Sequence, residues 1–277
     1  MSSFANVSWG VGFPVEGHAQ LVALLKAVGA FQLDHWQKIN PDSVEDKGIN
    51  QLVSFVDQES ETQLMHGLRA ILPNSAFIGE EHNSTAVLGE DPTWIIDPLD
   101  GTTNYLHGLP VFSISVALWS DGGLKAGYIY CPVWDYMYVA VAGAGAYKND
   151  KRIGVSSVTE AKNSLLATGF PYYEFSKTPA YLQLLEELMR STHGLRRMGS
   201  AAIDLAFTAE GRFDGFYELG LAPWDVAAGA LIVQEAGGTV SDFSGGMDYL
   251  FGKSIIASNA TLYPYLLDRI EAYFGGK

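Results

Sequence analysis

The sequence predicts an α+β protein built in layers, with an antiparallel sheet in its first half and a mixed sheet in its second. Three observations carry this. Residues 111–119, 124–131 and 136–142 are rich in Val, Ile, Tyr and Phe and are separated by turn signals such as Asp121-Gly122-Gly123, the pattern of an antiparallel meander. Beyond about residue 155 short apolar runs alternate with helical spacings, as layered α/β packing requires. Ahead of the meander, Leu21, Leu24, Leu25, Val28 and Phe31 recur at helical spacing and predict a helix over 15–38.

The remaining elements follow in order. A second helix is predicted over 58–71, with Leu64, Leu68 and Ile71 on one face and Pro73 beyond its end. Ala76-Phe77-Ile78 reads as a strand running into Gly79-Glu80-Glu81, and Thr93–Ile96 as another, ending at Asp97-Pro98. Gly143-Ala144-Gly145 is a hairpin turn, because a dinucleotide loop would need a third glycine and a following helix. Asn149-Asp150 reads as a second hairpin tip. In the second half, helices are predicted over 178–190 and 200–210, a strand over Phe213–Tyr217, and a helix from Pro223 to Glu235 that Gly237-Gly238 stops. Extended Thr239-Val240-Ser241, a strand over Ser254–Ala257 and a helix over Leu262–Phe274 close the chain. The change of texture divides it into halves, 1–155 and 156–277, of one compact unit.

Of the 277 residues 48% are hydrophobic, ample for a core, yet no apolar run is long enough to predict a membrane span. No basic head followed by an apolar run opens the sequence, so no secretory signal is expected. Cys131 is the one cysteine, which excludes an internal disulfide and fits a reducing, cytoplasmic setting. The net charge of −14 should repel nucleic acid and anionic membranes. It should also repel a phosphate ester unless something positive intervenes.

The chemistry concentrates in Trp94-Ile95-Ile96-Asp97-Pro98-Leu99-Asp100-Gly101-Thr102-Thr103-Asn104-Tyr105. An apolar strand delivers two carboxylates onto a turn that Pro98 and Gly101 force. Carboxylates so placed repel one another, and a hard cation such as magnesium, which prefers oxygen ligands, relieves that repulsion. Gly101 and Thr102 open a short helix whose exposed N–H groups can hold phosphate oxygens. Taken alone, the motif is equally a polar turn with Asp100 capping a helix. Gly79-Glu80-Glu81 alone is an exposed acidic loop, and Asp225 in Ala222-Pro223-Trp224-Asp225 alone an ordinary cap.

Together and in this order, these segments resemble the inositol monophosphatase family, whose pattern is a G-E-E turn, then W-I-I-D-P-[IL]-D-G-T-T-N-[FY], then P-W-D-x-A-A-G ahead of E-A-G-G. The resemblance extends to Lys47-Gly48 with Leu52–Asp57, to Arg197-Met198-Gly199-Ser200-Ala201-Ala202 and to Phe216-Tyr217-Glu218-Leu219-Gly220, and so covers nearly the whole chain. It implies an αβαβα sandwich, usually a homodimer, often inhibited by lithium, that hydrolyses small phosphate monoesters with two or three Mg²⁺ ions. It implies Glu80, Asp97, Asp100 and Asp225 as metal carboxylates with the Leu99 carbonyl. It assigns phosphate to the Gly101 and Thr102 N–H groups, the attacking water to Thr102, Asp57 and Glu80, and substrate hydroxyls to Ala201 and Glu218. Gln51 and Ser54 depart from the pattern, where an acidic residue and threonine are usual; neither is in the ligand set.

Charge arithmetic supports the metal. Four carboxylates facing a phosphate dianion make about eight repulsive pairs, each costing roughly 3 kcal/mol at ~5 Å and an effective dielectric of ~20. Other phosphatase chemistries fit less well: an aspartyl-phosphate enzyme presents D-x-D, Cys131 in Tyr130-Cys131-Pro132 reads as a buried strand end, and His107 lacks the context of a nucleophile. The expected partner is a small phosphorylated metabolite, an inositol monophosphate first. Fructose 1,6-bisphosphate, histidinol phosphate, NADP or 3′-phosphoadenosine 5′-phosphate are the alternatives within the same chemistry. A regulatory binding protein on the same fold is the alternative from another class.

Overall fold

Side-chain alternation along one strand sets the architecture. The computed structural model describes residues 16–38, 45–48, 51–82, 88–172 and 175–275. The chain begins with α1 (Gly17–His35), a backbone hairpin of β1 (Glu45–Gly48) and β2 (Gln51–Val53), α2 (Phe55–Ile71) and β3 (Ala76–Gly79), and then enters β4 (Thr93–Asp100). Every residue of β4 is buried. Trp94 and Ile96 point to one face and pack with Leu21, Leu25, Leu64 and Leu68 of α1 and α2. Ile95 points to the other, among residues from the second half of the chain. A strand buried on both faces must lie inside a layered stack.

After the short helix α3 (Thr102–Leu106), β5 (Ser113–Ser120), β6 (Gly123–Cys131), β7 (Tyr136–Val141), β8 (Gly145–Lys148) and β9 (Lys151–Arg152) follow in order. They complete a seven-stranded sheet, β3-β4-β5-β6-β7-β8-β9, antiparallel except for the β3–β4 pair. Asn149 and Asp150, both at positive φ, form the predicted tip between β8 and β9.

The second half contributes β10 (Leu165–Thr168), α4 (Thr178–Ser191), β11 (Gly194–Arg196), α5 (Ala201–Ala209), β12 (Gly215–Leu219), α6 (Pro223–Glu235), β13 (Gly238–Ser241), β14 (Ser254–Asn259) and α7 (Tyr263–Phe274). Its five strands form a mixed sheet in the order β11-β10-β12-β14-β13. Alternation again separates two faces. Phe216, Ile255 and Ala257 pack with α5 and α6 in the central core, while Leu166, Tyr217 and Ile256 pack with Leu184 and Leu188 of α4 and Leu266 and Ile270 of α7. The layers therefore run α1/α2, first sheet, α5/α6, second sheet, α4/α7. This is the αβαβα sandwich.

Three local readings change. α2 begins at Phe55 rather than 58, because Ser54 caps it and Asp57 returns the bond to the Ser54 N–H in a capping box. β10 and β11, not assigned from sequence, are short strands that gain their stability from parallel pairing within the second sheet. Gly101, not Asp100, occupies the cap of α3, at φ 93°. Lys47 and Gln51 lie in β1 and β2, of which the backbone alone is described. Residues 1–15, which carry the expectation of no secretory signal, lie outside the described residues.

Candidate active site

The D-P-L-D segment owes its geometry to a bulge. Asp97 pairs with Ser115 and Asp100 with Ser113, so three steps along β4 match two along β5. In a regular strand, side chains three apart point to opposite faces. The extra residue of the bulge restores the phase and turns both carboxylates to one side. Pro98, which has no N–H for the ladder, stands inside the bulge. The Leu99 N–H, released from pairing, donates to Asp97 Oδ1 at 3.0 Å.

Asp100 is held by a different helix from the one its sequence position suggests. Its Oδ2 accepts the Ala202 N–H at 2.8 Å and a short bond from the Ser200 hydroxyl, with the Ser113 hydroxyl at 3.5 Å. The Ala201 N–H donates to the same carboxylate. Asp100 thus lies against the N-terminus of α5, where exposed N–H groups and the helix dipole favour negative charge. Ala201, buried, is the first residue of that helix. Asp225 enters from α6, at the third position of a helix whose second half is buried between the sheets, and its Oδ2 accepts the Ala222 N–H at 2.6 Å.

The three carboxylates converge. One oxygen each from Asp97, Asp100 and Asp225 lies within 4.8 Å of the others. Glu80, half-buried just past the end of β3, lies outside that group of three, but its charge acts on Asp97. Burial, then Glu80, Asp100 and Asp225, push the Asp97 carboxyl well above its ordinary range. Burial raises Asp100 to about 6 even against the bonds from Ser200 and Ala202. Burial and then Asp100 raise Asp225 to about 7. Such groups resist ionising together in the bare protein. The donor set, all oxygen and strongly anionic, fits a hard divalent cation, which would remove that resistance.

Beside the cluster, Gly101 packs so tightly that a Cβ would stand 2.8 Å from the Val111 carbonyl oxygen. Its N-cap position starts α3 at Thr102. The Thr102 hydroxyl lies 3.0 Å from both Asp57 Oδ1 and the Leu99 carbonyl, to either of which it donates. Asp57 is buried and also accepts the Ser54 N–H and hydroxyl at 2.9 and 2.6 Å. Burial raises its pKa, the Ser54 and Thr102 bonds oppose this, and Glu81 adds to it. Glu218, on β12, is packed against Gly169 so closely that a Cβ there would overlap its carboxylate. Burial, and the charges of Asp225 and Asp100 against that of Arg197, bring Glu218 up to about 8.

Asp97, Asp100 and Asp225 therefore meet although their segments lie far apart in sequence. His107 is exposed at the end of α3, and Cys131 is buried, its thiol pushed up by burial and then by the charge of Asp100, which disfavours a nucleophilic thiolate. Sequence reasoning missed Ser200 and Ser113, which hold Asp100, and Arg197, whose guanidinium lies 5.4 Å over both the Phe170 and Tyr172 rings. It also missed Asp204, one turn into α5, buried and pushed up by burial and by Glu218. Only the serine at the cap of α5 carried a local signal, its place ahead of a helical run.

An αβαβα sandwich with a bulged acidic strand, a neighbouring glycine turn and a carboxylate at the head of α6 defines a metal-dependent class of proteins. Residues 16–273 match the inositol monophosphatase family, and the chain belongs to it. It is 42% identical over 227 residues to the inositol-1-monophosphatase of Mesorhizobium japonicum, covering 81% of this chain and 85% of that one. Nus factor SuhB of Haemophilus influenzae is 40% identical, covering 85% and 89%. The crystal structure of extragenic suppressor protein SuhB from Bartonella henselae superposes with a TM-score of 0.85 at 38% identity, covering 92% of this chain and 98% of that one. No described helix is long and apolar enough to cross a membrane.

Proposed function

We propose that the protein is a magnesium-dependent phosphatase that hydrolyses a small phosphate monoester, an inositol monophosphate first among them. The observation that carries this reading is the convergence of Asp97, Asp100 and Asp225 within 4.8 Å of one another, next to the Gly101–Thr102 turn. Glu80, Asp97, Asp100, Asp225 and the Leu99 carbonyl would hold two or three Mg²⁺ ions. When bound, the ions supply the positive charge a phosphate dianion needs, lower the pKa of water and stabilise the leaving oxygen.

The chain's own groups do the rest. The Gly101 and Thr102 N–H groups hold phosphate oxygens and, because they are fixed beforehand, stabilise charge that grows on them. The Thr102 hydroxyl donates its hydrogen bond to Asp57 or to the Leu99 carbonyl. The hydroxyl oxygen is then left with lone pairs to accept from the attacking water, which sets that water's orientation. Glu80 would help Thr102 to position that water. No protein nucleophile is required.

Ala201 and Glu218 would meet the alcohol part of the substrate. A carboxylate can accept hydrogen bonds from vicinal hydroxyls, which favours a polyol, and Thr103-Asn104-Tyr105 lacks the charge that phosphoadenosine-type sites carry after D-G-T. Both halves, 1–155 and 156–277, supply the site, since Asp225 comes from the second. A cytoplasmic homodimer is the expected form, to be checked by size-exclusion light scattering.

A second reading follows from the name Nus factor borne by the Haemophilus relative. It is a regulatory role exerted through a macromolecular partner. The net charge of −14 opposes direct RNA contact, so that partner would be protein.

The test is phosphate release with and without Mg²⁺ from inositol 1-phosphate, fructose 1,6-bisphosphate, histidinol phosphate, NADP and 3′-phosphoadenosine 5′-phosphate. Inositol 1-phosphate should be cleaved fastest and only with metal. Undiminished cleavage in excess EDTA would end the proposal.

A further inference from the structure

Glu61 stands one helical turn beyond Asp57 on the same face of α2. Asp57 reaches the Thr102 hydroxyl, and Glu61 reaches the turn that follows β3. The Glu61 side chain is 0% exposed. Such burial of a carboxylate is costly unless its oxygens are occupied. Here Oε1 accepts the Glu81 N–H at 3.4 Å, and Oε2 makes a short contact with His82 Nδ1, whose side chain is 47% exposed. Gly79 lies so close that a Cβ on it would collide with Oε1. One carboxylate therefore touches residues 79, 81 and 82, and the residue they flank is Glu80, whose charge bears on Asp97.

We infer that Glu61 is a positioning residue, which clamps the Gly79–His82 turn so that the Glu80 carboxylate faces the aspartate cluster. This rests on the reading of that cluster as the metal site. Gly79 follows from the same geometry: a larger residue there would displace Glu61 and with it the turn. A carboxylate that merely tied α2 to β3 would support the fold and leave the cation response of the folded protein untouched. A positioning residue must change that response, because metal affinity depends on the groups that orient the ligands.

The experiment compares the full chain with its Glu61→Ala, Glu61→Gln and His82→Ala variants. The readouts are the Mg²⁺ concentration giving half the metal-induced rise in melting temperature and the half-saturating Mg²⁺ for phosphate release from inositol 1-phosphate. Glu61→Ala should raise both concentrations about tenfold or more, with KM at saturating Mg²⁺ changed by about twofold at most. Glu61→Gln should recover most of the loss, since its amide oxygen can accept the Glu81 N–H while its NH₂ donates to His82 Nδ1. His82→Ala should shift both in the same direction by less. A folded Glu61→Ala protein with the parental Mg²⁺ response overturns the inference. Should that variant fail to fold, His82→Ala decides it: a weakened Mg²⁺ response supports the clamp, and an unchanged one removes it. If the parent chain itself neither binds Mg²⁺ nor needs it, the metal-site reading fails instead.

Discussion

Two acidic loops in this protein look alike in sequence and behave in opposite ways. The first, Asp97-Pro98-Leu99-Asp100-Gly101, faces the central layer. The second, Asp242-Phe243-Ser244-Gly245-Gly246, connects β13 to β14. Asp242 is consumed by its own loop: Oδ1 accepts the Ser244 N–H at 2.8 Å, the Ser244 hydroxyl at 2.7 Å and the Gly246 N–H at 2.9 Å, and Oδ2 accepts the Asp248 N–H at 3.2 Å. Burial works to raise its pKa, but the Ser244 and backbone bonds outweigh it and hold the carboxyl below the usual range. Asp100 accepts as many donors as Asp242, but it, Asp97 and Asp225 face one another in a buried group and are held high. A carboxylate satisfied by its own chain is a structural part. A group of carboxylates left to repel one another must take up protons or hold a cation. The nearness of other carboxylates, not the D-x-x-D or D-x-x-G-G string, separates the two.

The sharpest way to break this contrast is Asp97→Asn. Turnover should fall by about 10²–10³-fold or more, the scale of losing one preorganised electrostatic partner, in a Mg²⁺-saturated assay. The metal-free protein should at the same time melt higher, because one repelling charge is gone. Unchanged kcat would place Asp97 with Asp242 as a structural group. Thr102→Ala comes next, with kcat lowered ~10²-fold and KM little changed; the reverse pattern would make the hydroxyl a binding group only.

Asp242→Ala should do the opposite of Asp97→Asn. Four donors lose their acceptor, so stability should drop by about 2 kcal/mol in urea unfolding while the Mg²⁺ dependence of phosphate release stays put. A shifted Mg²⁺ response would contradict the division drawn here. The smallest effect concerns pH. Asp100 and Asp225, at about 6 and about 7 in the folded chain, have ordinary values near 4 when unfolded. Between about pH 4 and 7 the native state then binds more protons than the unfolded one, so the stability of the metal-free protein must fall as pH rises through that window. Saturating Mg²⁺ should flatten the slope. Differential scanning fluorimetry across the window, with EDTA and with Mg²⁺, measures it; a metal-free melting temperature that climbs over this range would count against the raised carboxyls.

Much of the architecture was legible because its rules are local. Alternation in 111–142 announced the meander, and Pro223 ahead of an apolar run announced α6. The acidic residues were legible as types and as an ordered family pattern. What holds them was not. That Asp100 would lie against the N-terminus of α5 rather than cap its own helix depends on two segments about a hundred residues apart meeting in space. The bulge that brings Asp97 and Asp100 to one face is a matter of register with β5, and only Pro98 hinted at it. Likewise Glu235 of the E-A-G-G segment accepts the Gly143 and Gly145 N–H groups at 2.7 and 2.8 Å, so this residue of a functional-looking motif fastens a hairpin. β10 and β11 were missed because so short a strand shows only where motif or turn residues flank it, as Gly79-Glu80-Glu81 marks the end of β3 and Gly237-Gly238 the start of β13.

The central helical layer has a consequence for biosynthesis. α5 and α6 are the middle of the sandwich, yet they are made after the entire first sheet. A nascent chain that has emerged only as far as β9 carries Ile95, Ala117, Ile129 and Ala140 on a face with no cover, for their companions Leu205, Ala228 and Ile232 are still unsynthesised. Growing polypeptides of this kind expose a broad greasy surface for many seconds of translation, and a holdase that shields it should raise the yield of native protein far more than excess magnesium in the medium.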